Sequence, residues 1–243
     1  MNLSNNKILI TGGATGIGFG LAERFITENN TVIICGRRES VLKEAKAKLP
    51  SVITKVCDIS IAKERDGLYK WIEKEHKNLN VLINNAGIQN WMSVADDNFY
   101  LRAKDEISTN LESPLHLISL FQNLPSLNVI INVTSGLSFS PLAKLPVYCA
   151  TKAFFHSFTL SLRHLLKPKN IEVIELIPPA LNTDLGGKGI HDFAPPVSGF
   201  IDSVFEQLKQ NKTTITYGTS EFMLNAGGEQ LQQAFARMNP VES

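Results

Sequence analysis

Residues 7–18 read Lys7-Ile8-Leu9-Ile10-Thr11-Gly12-Gly13-Ala14-Thr15-Gly16-Ile17-Gly18. A β-branched apolar run ends at Thr11, glycines crowd the turn, and a helical pattern starts at Ile17. Positions without side chains let a backbone approach a pyrophosphate, and N–H groups at the helix start meet its charge. Tight turns also use glycine for conformational reasons alone; the position between strand and helix favours the phosphate-binding reading. The spacing here is Gly-x-x-x-Gly-x-Gly rather than the commoner Gly-x-Gly-x-x-Gly.

Outward from that turn the pattern repeats. Short apolar runs cover Lys7 to Thr11, Thr31 to Cys35, Val52 to Val56, Val81 to Ile83, Val129 to Thr134, Glu172 to Ile177 and Thr213 to Tyr217. Several are apolar on both faces, as parallel strands covered on both sides must be. Helical patterns lie between them, at Ile17 to Asn29, Glu39 to Leu49, Ile61 to Glu75, Tyr100 to Asn123, Pro146 to Leu166 and Ser198 to Gln210. This predicts an α/β chain, residues 1–243 forming a single Rossmann-type domain around a doubly wound sheet of about seven parallel strands. Asn182 to Pro196 is rich in Gly and Pro. Residues 182–212 are therefore expected to contain a substrate lid, the alternative being an ordinary surface loop.

The 24 Lys and Arg nearly balance 23 Asp and Glu, which leaves no basic field for nucleic acid. No stretch approaches the ~18 uninterrupted apolar residues of a membrane span. No signal segment is read at the N-terminus, so the expected address is the cytoplasm. Cys35, Cys57 and Cys149 lack metal or scaffold spacing and read as small buried groups. The five histidines, at 76, 116, 156, 164 and 191, form no ligand pair, so no metal is expected.

In dinucleotide sites the residue that reads the adenosine ribose ends the second strand, and an acid there accepts from the 2′-hydroxyl. This chain has Cys35-Gly36-Arg37-Arg38 at that point. Arginine pairs with a 2′-phosphate, which favours NADP over NAD. The alternative is that the arginines begin a solvated helix while Glu39 serves as the ribose acceptor.

Tyr148 and Lys152 are four residues apart and share a helix face. A neighbouring ammonium is expected to favour the phenolate and bring the tyrosine pKa down towards the working range. Ser135 follows the fifth strand, at the sheet end where open α/β folds place ligands. Its hydroxyl can hold a substrate oxygen while Tyr148 transfers a proton. An isolated Tyr-x-x-x-Lys pair is also what an aromatic ring packed under a lysine stem would look like.

These motifs resemble the short-chain dehydrogenase/reductase family, in the branch whose chains are about this length. The likeness runs from about Lys7 to Thr183. It implies that Thr11, Gly12, Thr15, Gly16, Ile17 and Gly18 form the cofactor turn and that Asp58, with Ile59, meets the adenine. It implies the same contact role for Asn85, Ala86 and Gly87 of the Asn84-Asn85-Ala86-Gly87 motif. Asn110, Ser135, Tyr148 and Lys152 match the family's catalytic four. Lys152 would also bind the nicotinamide ribose, and the Asn110 carbonyl would hold a relay water. Pro114, four residues after Asn110, has no N–H to give that carbonyl; a simple proline kink is the alternative.

Where the family usually has Pro-Gly-x-x-x-Thr, this chain reads Pro178-Pro179-Ala180-Leu181-Asn182-Thr183. Pro178 and Thr183 keep their expected cofactor contacts, while Pro179 fixes a φ that glycine leaves free. The Pro-Pro variant and the Cys-Gly-Arg-Arg turn are similar to the subgroup named for the D-alanine transfer protein of teichoic acid operons, a name that establishes no chemistry.

Gln89, Asn90, Trp91, Leu137, Leu142, Leu185 and Phe193 are candidate pocket walls for a mostly apolar carbonyl or alcohol substrate, and His191 lies in the same lid. The Tyr148 helix is apolar on more than one face, through Phe154, Phe155, Phe158, Leu160, Leu162, Leu165 and Leu166, which leaves one face for a partner subunit or a neighbouring helix; the family resemblance implies self-association, as a homodimer or homotetramer. The expected activity is NADP(H)-dependent hydride transfer between nicotinamide and a carbonyl or alcohol. The rivals are a nicotinamide-sensing binding protein without turnover and a nucleotide-sugar epimerase. The second lacks room for its larger C-terminal domain.

Overall fold

The computed structural model describes residues 1–240. Seven parallel strands form one sheet: β1 (Lys7–Thr11), β2 (Thr31–Gly36), β3 (Ile53–Val56), β4 (Val81–Asn84), β5 (Val129–Val133), β6 (Glu172–Ile177) and β7 (Thr214–Thr216). Their spatial order is β3-β2-β1-β4-β5-β6-β7, so the winding reverses between β1 and β4. That reversal opens a crevice at the carboxyl ends of β1 and β4, the usual ligand position in such sheets.

Alternation along each strand divides the core into two layers. Ile8, Ile10, Val32, Ile34, Val81 and Ile83 point to one face, where they meet α1 (Gly16–Thr27), α2 (Glu39–Lys48) and α7 (Val197–Lys209). Leu9, Ile33 and Leu82 point to the other, against α3 (Ala62–Glu75), α5 (Ser113–Phe121) and α6 (Pro146–Leu166). The strands carry apolar residues at both parities because helices cover both faces.

The stretch read as one helix from Tyr100 to Asn123 is divided. It consists of α4 (Phe99–Ile107), a π-turn over Ser108–Glu112, and α5. Pro114 cannot donate to the Asn110 carbonyl; the backbone widens there, and the Ser113 N–H bonds back to the Ser108 carbonyl. The two short helices α8 (Thr219–Asn225) and α9 (Gly228–Met238) were not expected. Each buries a single side chain, Ser220 or Ala234, although α9 aligns Leu231, Ala234, Phe235 and Met238 on one face.

Phe25 of α1 and Phe205 of α7 are fully buried with ring centroids 4.8 Å apart, and the Arg24 guanidinium lies 4.9 Å from the Phe205 centroid. Phe25→Ala should empty this α1–α7 contact and cost about 3–5 kcal/mol. Chemical denaturation would show a lower midpoint with an unchanged slope.

Candidate active site

The glycine turn is fixed by contacts that leave no room for a Cβ. At Gly12, with φ +63°, a Cβ would lie 2.9 Å from the Ala86 Cα; at Gly18 it would lie 2.4 Å from the Gly12 carbonyl oxygen. Gly16 also has a positive φ, +53°, and its open side faces the Thr183 methyl group. The Thr11 hydroxyl accepts from the backbone N–H groups of Asn85 (3.0 Å) and Ala86 (3.1 Å) and donates to the Ile83 carbonyl. The Asn85 amide returns hydrogen bonds to the carbonyls of Thr11 (2.9 Å) and Gly12 (3.2 Å). Thr11, Asn85 and Ala86, expected as cofactor contacts, thus also tie the ends of β1 and β4 together.

At the end of β2, Arg37 and Arg38 are both exposed, while Glu39, the alternative ribose acceptor, is paired with Lys43 at 2.8 Å. Asp58 follows β3 and is partly buried; its Oδ1 accepts from the Ser60 amide (3.0 Å) and hydroxyl (2.7 Å). The adjacent Ile59 is buried and its carbonyl accepts from Arg65. Pro178 is buried after β6 and accepts from the Gly136 N–H at 3.0 Å. These residues, with Thr15 and Ile17 at the start of α1, all lie at the carboxyl edge of the sheet.

Ser135, Tyr148, Lys152 and Asn110 come together beside this edge, all at least nine-tenths buried. Ser135 caps a short 3-10 turn, Gly136–Ser138, by accepting from the Leu137 N–H, and it hydrogen-bonds the Tyr148 phenol. One helical turn beyond Tyr148, the Lys152 ammonium donates to the Val133 carbonyl at 2.9 Å and lies 5.6 Å from the tyrosine ring centroid. Asn110 uses its side chain as a clamp. Its Oδ1 accepts from the Ile88 N–H (2.9 Å), and its amide donates to the Ile88 carbonyl (2.9 Å) and the Thr151 hydroxyl (3.2 Å). Gly87 lies against this group; a Cβ there would stand 3.3 Å from Asn110 Oδ1 and 3.8 Å from Lys152 Nζ.

The electrostatics correct one expectation. Burial pushes the Tyr148 phenol above its ordinary pKa, with nearby Cys149 and Glu106 adding to the rise and the Ser135 hydrogen bond opposing it. Burial also pulls Lys152 down to about 8. Both shifts run towards the neutral form because removal from water penalises charge. The tyrosine is set as a protonated acid. The three cysteines are free and buried, and burial pushes each thiol up.

Of the expected pocket walls, Leu137, Leu142 and Leu185 pack against Leu145, Tyr148 and Cys149. Gln89 is buried, while Trp91 and Phe193 face outward at 39% and 81% exposure. The segment between Asn182 and Pro196, which bridge each other, is irregular, with positive φ at Gly186, Gly187 and Gly189. On α6, Phe155, Leu162 and Leu166 are buried, whereas Phe154, Leu160 and Leu165 are exposed.

Glu106 was not read from the sequence. It lies on α4 one turn before Asn110, is fully buried, and accepts from the Asn90 N–H at 2.5 Å. Its other oxygen has no hydrogen-bond partner. Burial raises its pKa to about 6, opposed by the Asn90 hydrogen bonds and Arg102. An acid among Ala103, Ile107 and Leu111 looks like one member of a solvated helix face, and only the tertiary packing shows otherwise.

Chain and fold agree with known proteins. Residues 6–192 match the family model of the short chain dehydrogenases. The chain is 42% identical over 254 residues to the uncharacterized oxidoreductase DltE of Bacillus subtilis (strain 168), covering all of both chains. A short chain dehydrogenase from Burkholderia cenocepacia J2315 in complex with NADP superposes with TM-score 0.84 at 23% identity, over 98% of this chain and 99% of that one. One from Sphingobium yanoikuyae in complex with NADPH gives 0.78 at 21% identity, over 98% of each. The protein belongs to the short-chain dehydrogenase/reductase family, and it is an oxidoreductase of the subgroup that contains DltE.

A carboxyl whose folded pKa lies above its unfolded value binds more protons when folded. Glu106 therefore favours the fold most below about pH 4.5, and that contribution is lost as the pH rises through about 6. Glu106→Gln should exceed the wild type in stability at pH 7.5, by up to ~2 kcal/mol. Melting curves should show the margin shrinking as the pH falls through about 6 and vanishing by about 4.5.

Proposed function

We propose that the protein catalyses NADP(H)-dependent interconversion of a carbonyl and an alcohol, with Tyr148 as the proton donor in reduction. The observation that carries this reading is the buried Ser135, Tyr148 and Lys152 cluster at the reversal of strand order. The glycine turn fits a dinucleotide: a cradle bare of Cβ atoms opens at the start of α1, and two exposed arginines stand where a 2′-phosphate is read. Thr11, Gly12, Thr15, Gly16, Ile17 and Gly18 would hold the pyrophosphate side, Arg37 and Arg38 the 2′-phosphate, and Asp58, Ile59 and Asn85 to Gly87 the adenine and its ribose. Lys152, Tyr148, Pro178 and Thr183 would hold the nicotinamide end. The NADP and NADPH complexes of the two structural neighbours support this choice, and NAD is the alternative.

When bound, the nicotinamide supplies the hydride for the carbonyl carbon. Ser135 donates a hydrogen bond to the carbonyl oxygen and holds it beside Tyr148 Oη. As negative charge gathers on that oxygen, the phenol gives it a proton, and the C=O becomes CH–OH. The resulting phenolate recovers its proton from the Lys152 ammonium, whose depressed pKa makes that transfer easier. Water then restores the lysine, and the Asn110 carbonyl, which Pro114 leaves without its helical donor, is the place for a relay water. The irregular segment after Asn182 acts as the lid of a small-molecule site. Residues 1–243 act as one domain, and the exposed Phe154, Leu160 and Leu165 on α6 suit a second copy, in a homodimer or homotetramer.

Tyr148→Phe should lower kcat by roughly 10²–10⁴-fold, while titration of NADPH fluorescence still shows binding. Full activity on a verified substrate would remove Tyr148 from the role. Arg37→Asp should reduce the ratio of kcat/KM for NADPH over NADH by roughly tenfold or more. An unchanged ratio would move 2′-phosphate recognition elsewhere.

A further inference from the structure

Two side chains a helical turn apart, Glu106 of α4 and Asn110 of the π-turn, hold alternate amides of the chain leaving β4. Asn110 accepts from Ile88 and Glu106 accepts from Asn90. Asn110 completes its bonds in doing so. Glu106 does not, and its second carboxylate oxygen is buried without a partner. Gln89, between the two amides, is 5% exposed, and its side-chain nitrogen is likewise buried and unpartnered. A buried acceptor and a buried donor left open, one on the side chain that holds Asn90 and one on the residue before it, are costly unless something fills them.

The surroundings connect this pair to Tyr148. The Gln89 amide faces Gly186, where a Cβ would stand 3.2 Å away, and the preceding Leu185 packs on Leu145, Tyr148 and Cys149. Met92 donates to the Lys144 carbonyl, two residues before α6, so the segment carrying Gln89 and Asn90 also abuts the start of the tyrosine helix. The charge of Glu106 is felt at both Tyr148 and Cys149. Gln89 thus borders the 183–195 segment, Glu106 holds the residue next to it, and Leu137, Leu142 and Leu185 supply an apolar wall around Tyr148.

We infer that Glu106, with Gln89, is the specificity-determining corner of the substrate site and takes a hydroxyl or ammonium group carried by the carbonyl substrate, an inference that rests on the carbonyl-reduction reading above. The free carboxylate oxygen accepts the O–H or N–H, and the Gln89 amide donates to a hydroxyl oxygen. A substrate carboxylate meets the Glu106 charge and is disfavoured. The corner is closed to water as the chain stands, so a substrate enters as the 183–195 segment lifts.

The test uses the full-length protein with NADPH at pH 7.5 and methyl ketones of matched length ending in methyl, hydroxyl, ammonium or carboxylate, over several lengths. The wild type should favour a hydroxyl or ammonium end over methyl by roughly tenfold or more in kcat/KM at its best length. Comparing the two arms tells which donor it takes. In Glu106→Gln, whose shape preserves the Asn90 hydrogen bond, the ammonium-to-methyl ratio should collapse and the carboxylate penalty should fall. The ratio cancels any change common to all substrates, including loss of the Glu106 field at Tyr148. If Glu106→Gln does not fold, Gln89→Leu should lower the hydroxyl-to-methyl ratio while leaving the ammonium preference. Turnover of methyl-ended ketones without preference, or a ratio unchanged in the variants, overturns this inference alone. Bound NADPH with no turnover of any ketone overturns the carbonyl-reduction reading and this inference with it.

Discussion

The site depends on one seam. Where the strand order reverses, β1 and β4 run side by side and their chains then part, and the Thr11 hydroxyl accepts the first two amides beyond β4 at 3.0 and 3.1 Å. The Asn85 amide closes the seam from the other side by donating to Thr11 and Gly12. With the backbones so close, Gly12 and Gly18 have no space for side chains. The bare glycine turn and the course of residues 86–90 are therefore consequences of the same few hydrogen bonds. The Asn110 clamp on Ile88 then fixes where α4 and the π-turn must lie.

Burial sets the chemistry. A phenol and an ammonium at an open surface would keep near-ordinary pKa values; within this sheet edge the first is pushed up and the second pulled down to about 8. The two shifts make the lysine the stronger acid of the pair, so a tyrosine that has just lost its proton draws one from it. Lys152 stays placed without a carboxylate partner because the Val133 carbonyl, at the end of β5, accepts from it. The strand that carries Ser135 into the site thus also anchors the lysine.

Much of this was legible in the chain. Short runs apolar on both faces, alternating with helical patterns, predicted the parallel sheet, and Glu172–Ile177 and Pro146–Leu166 have the bounds their patterns suggested. Pro114 predicted a disturbed helix at Asn110, since a missing N–H is a covalent fact that packing cannot override. What escaped were mostly features created by tertiary context. Helix α8 is only seven residues long, too short to leave a periodic signal, whereas α9 does carry one, at Leu231, Ala234, Phe235 and Met238, that was passed over. The tyrosine pKa was read from its nearest charge, whereas desolvation by atoms distant in sequence decides its direction.

Glu106 escaped for the same reason, and its energetics oppose its presence as a purely structural residue. An acceptor for the Asn90 N–H needs no charge; a glutamine oxygen in the same place would serve, without the desolvation that raises the carboxyl to about 6. The charge also works against ionisation of Tyr148, holding the phenol as an acid. A buried carboxylate with one oxygen committed and one open thus costs the fold stability and helps keep the tyrosine protonated. Both effects follow from a single side chain placed one helical turn before the Asn110 clamp, where α4 faces the chain that leaves the seam.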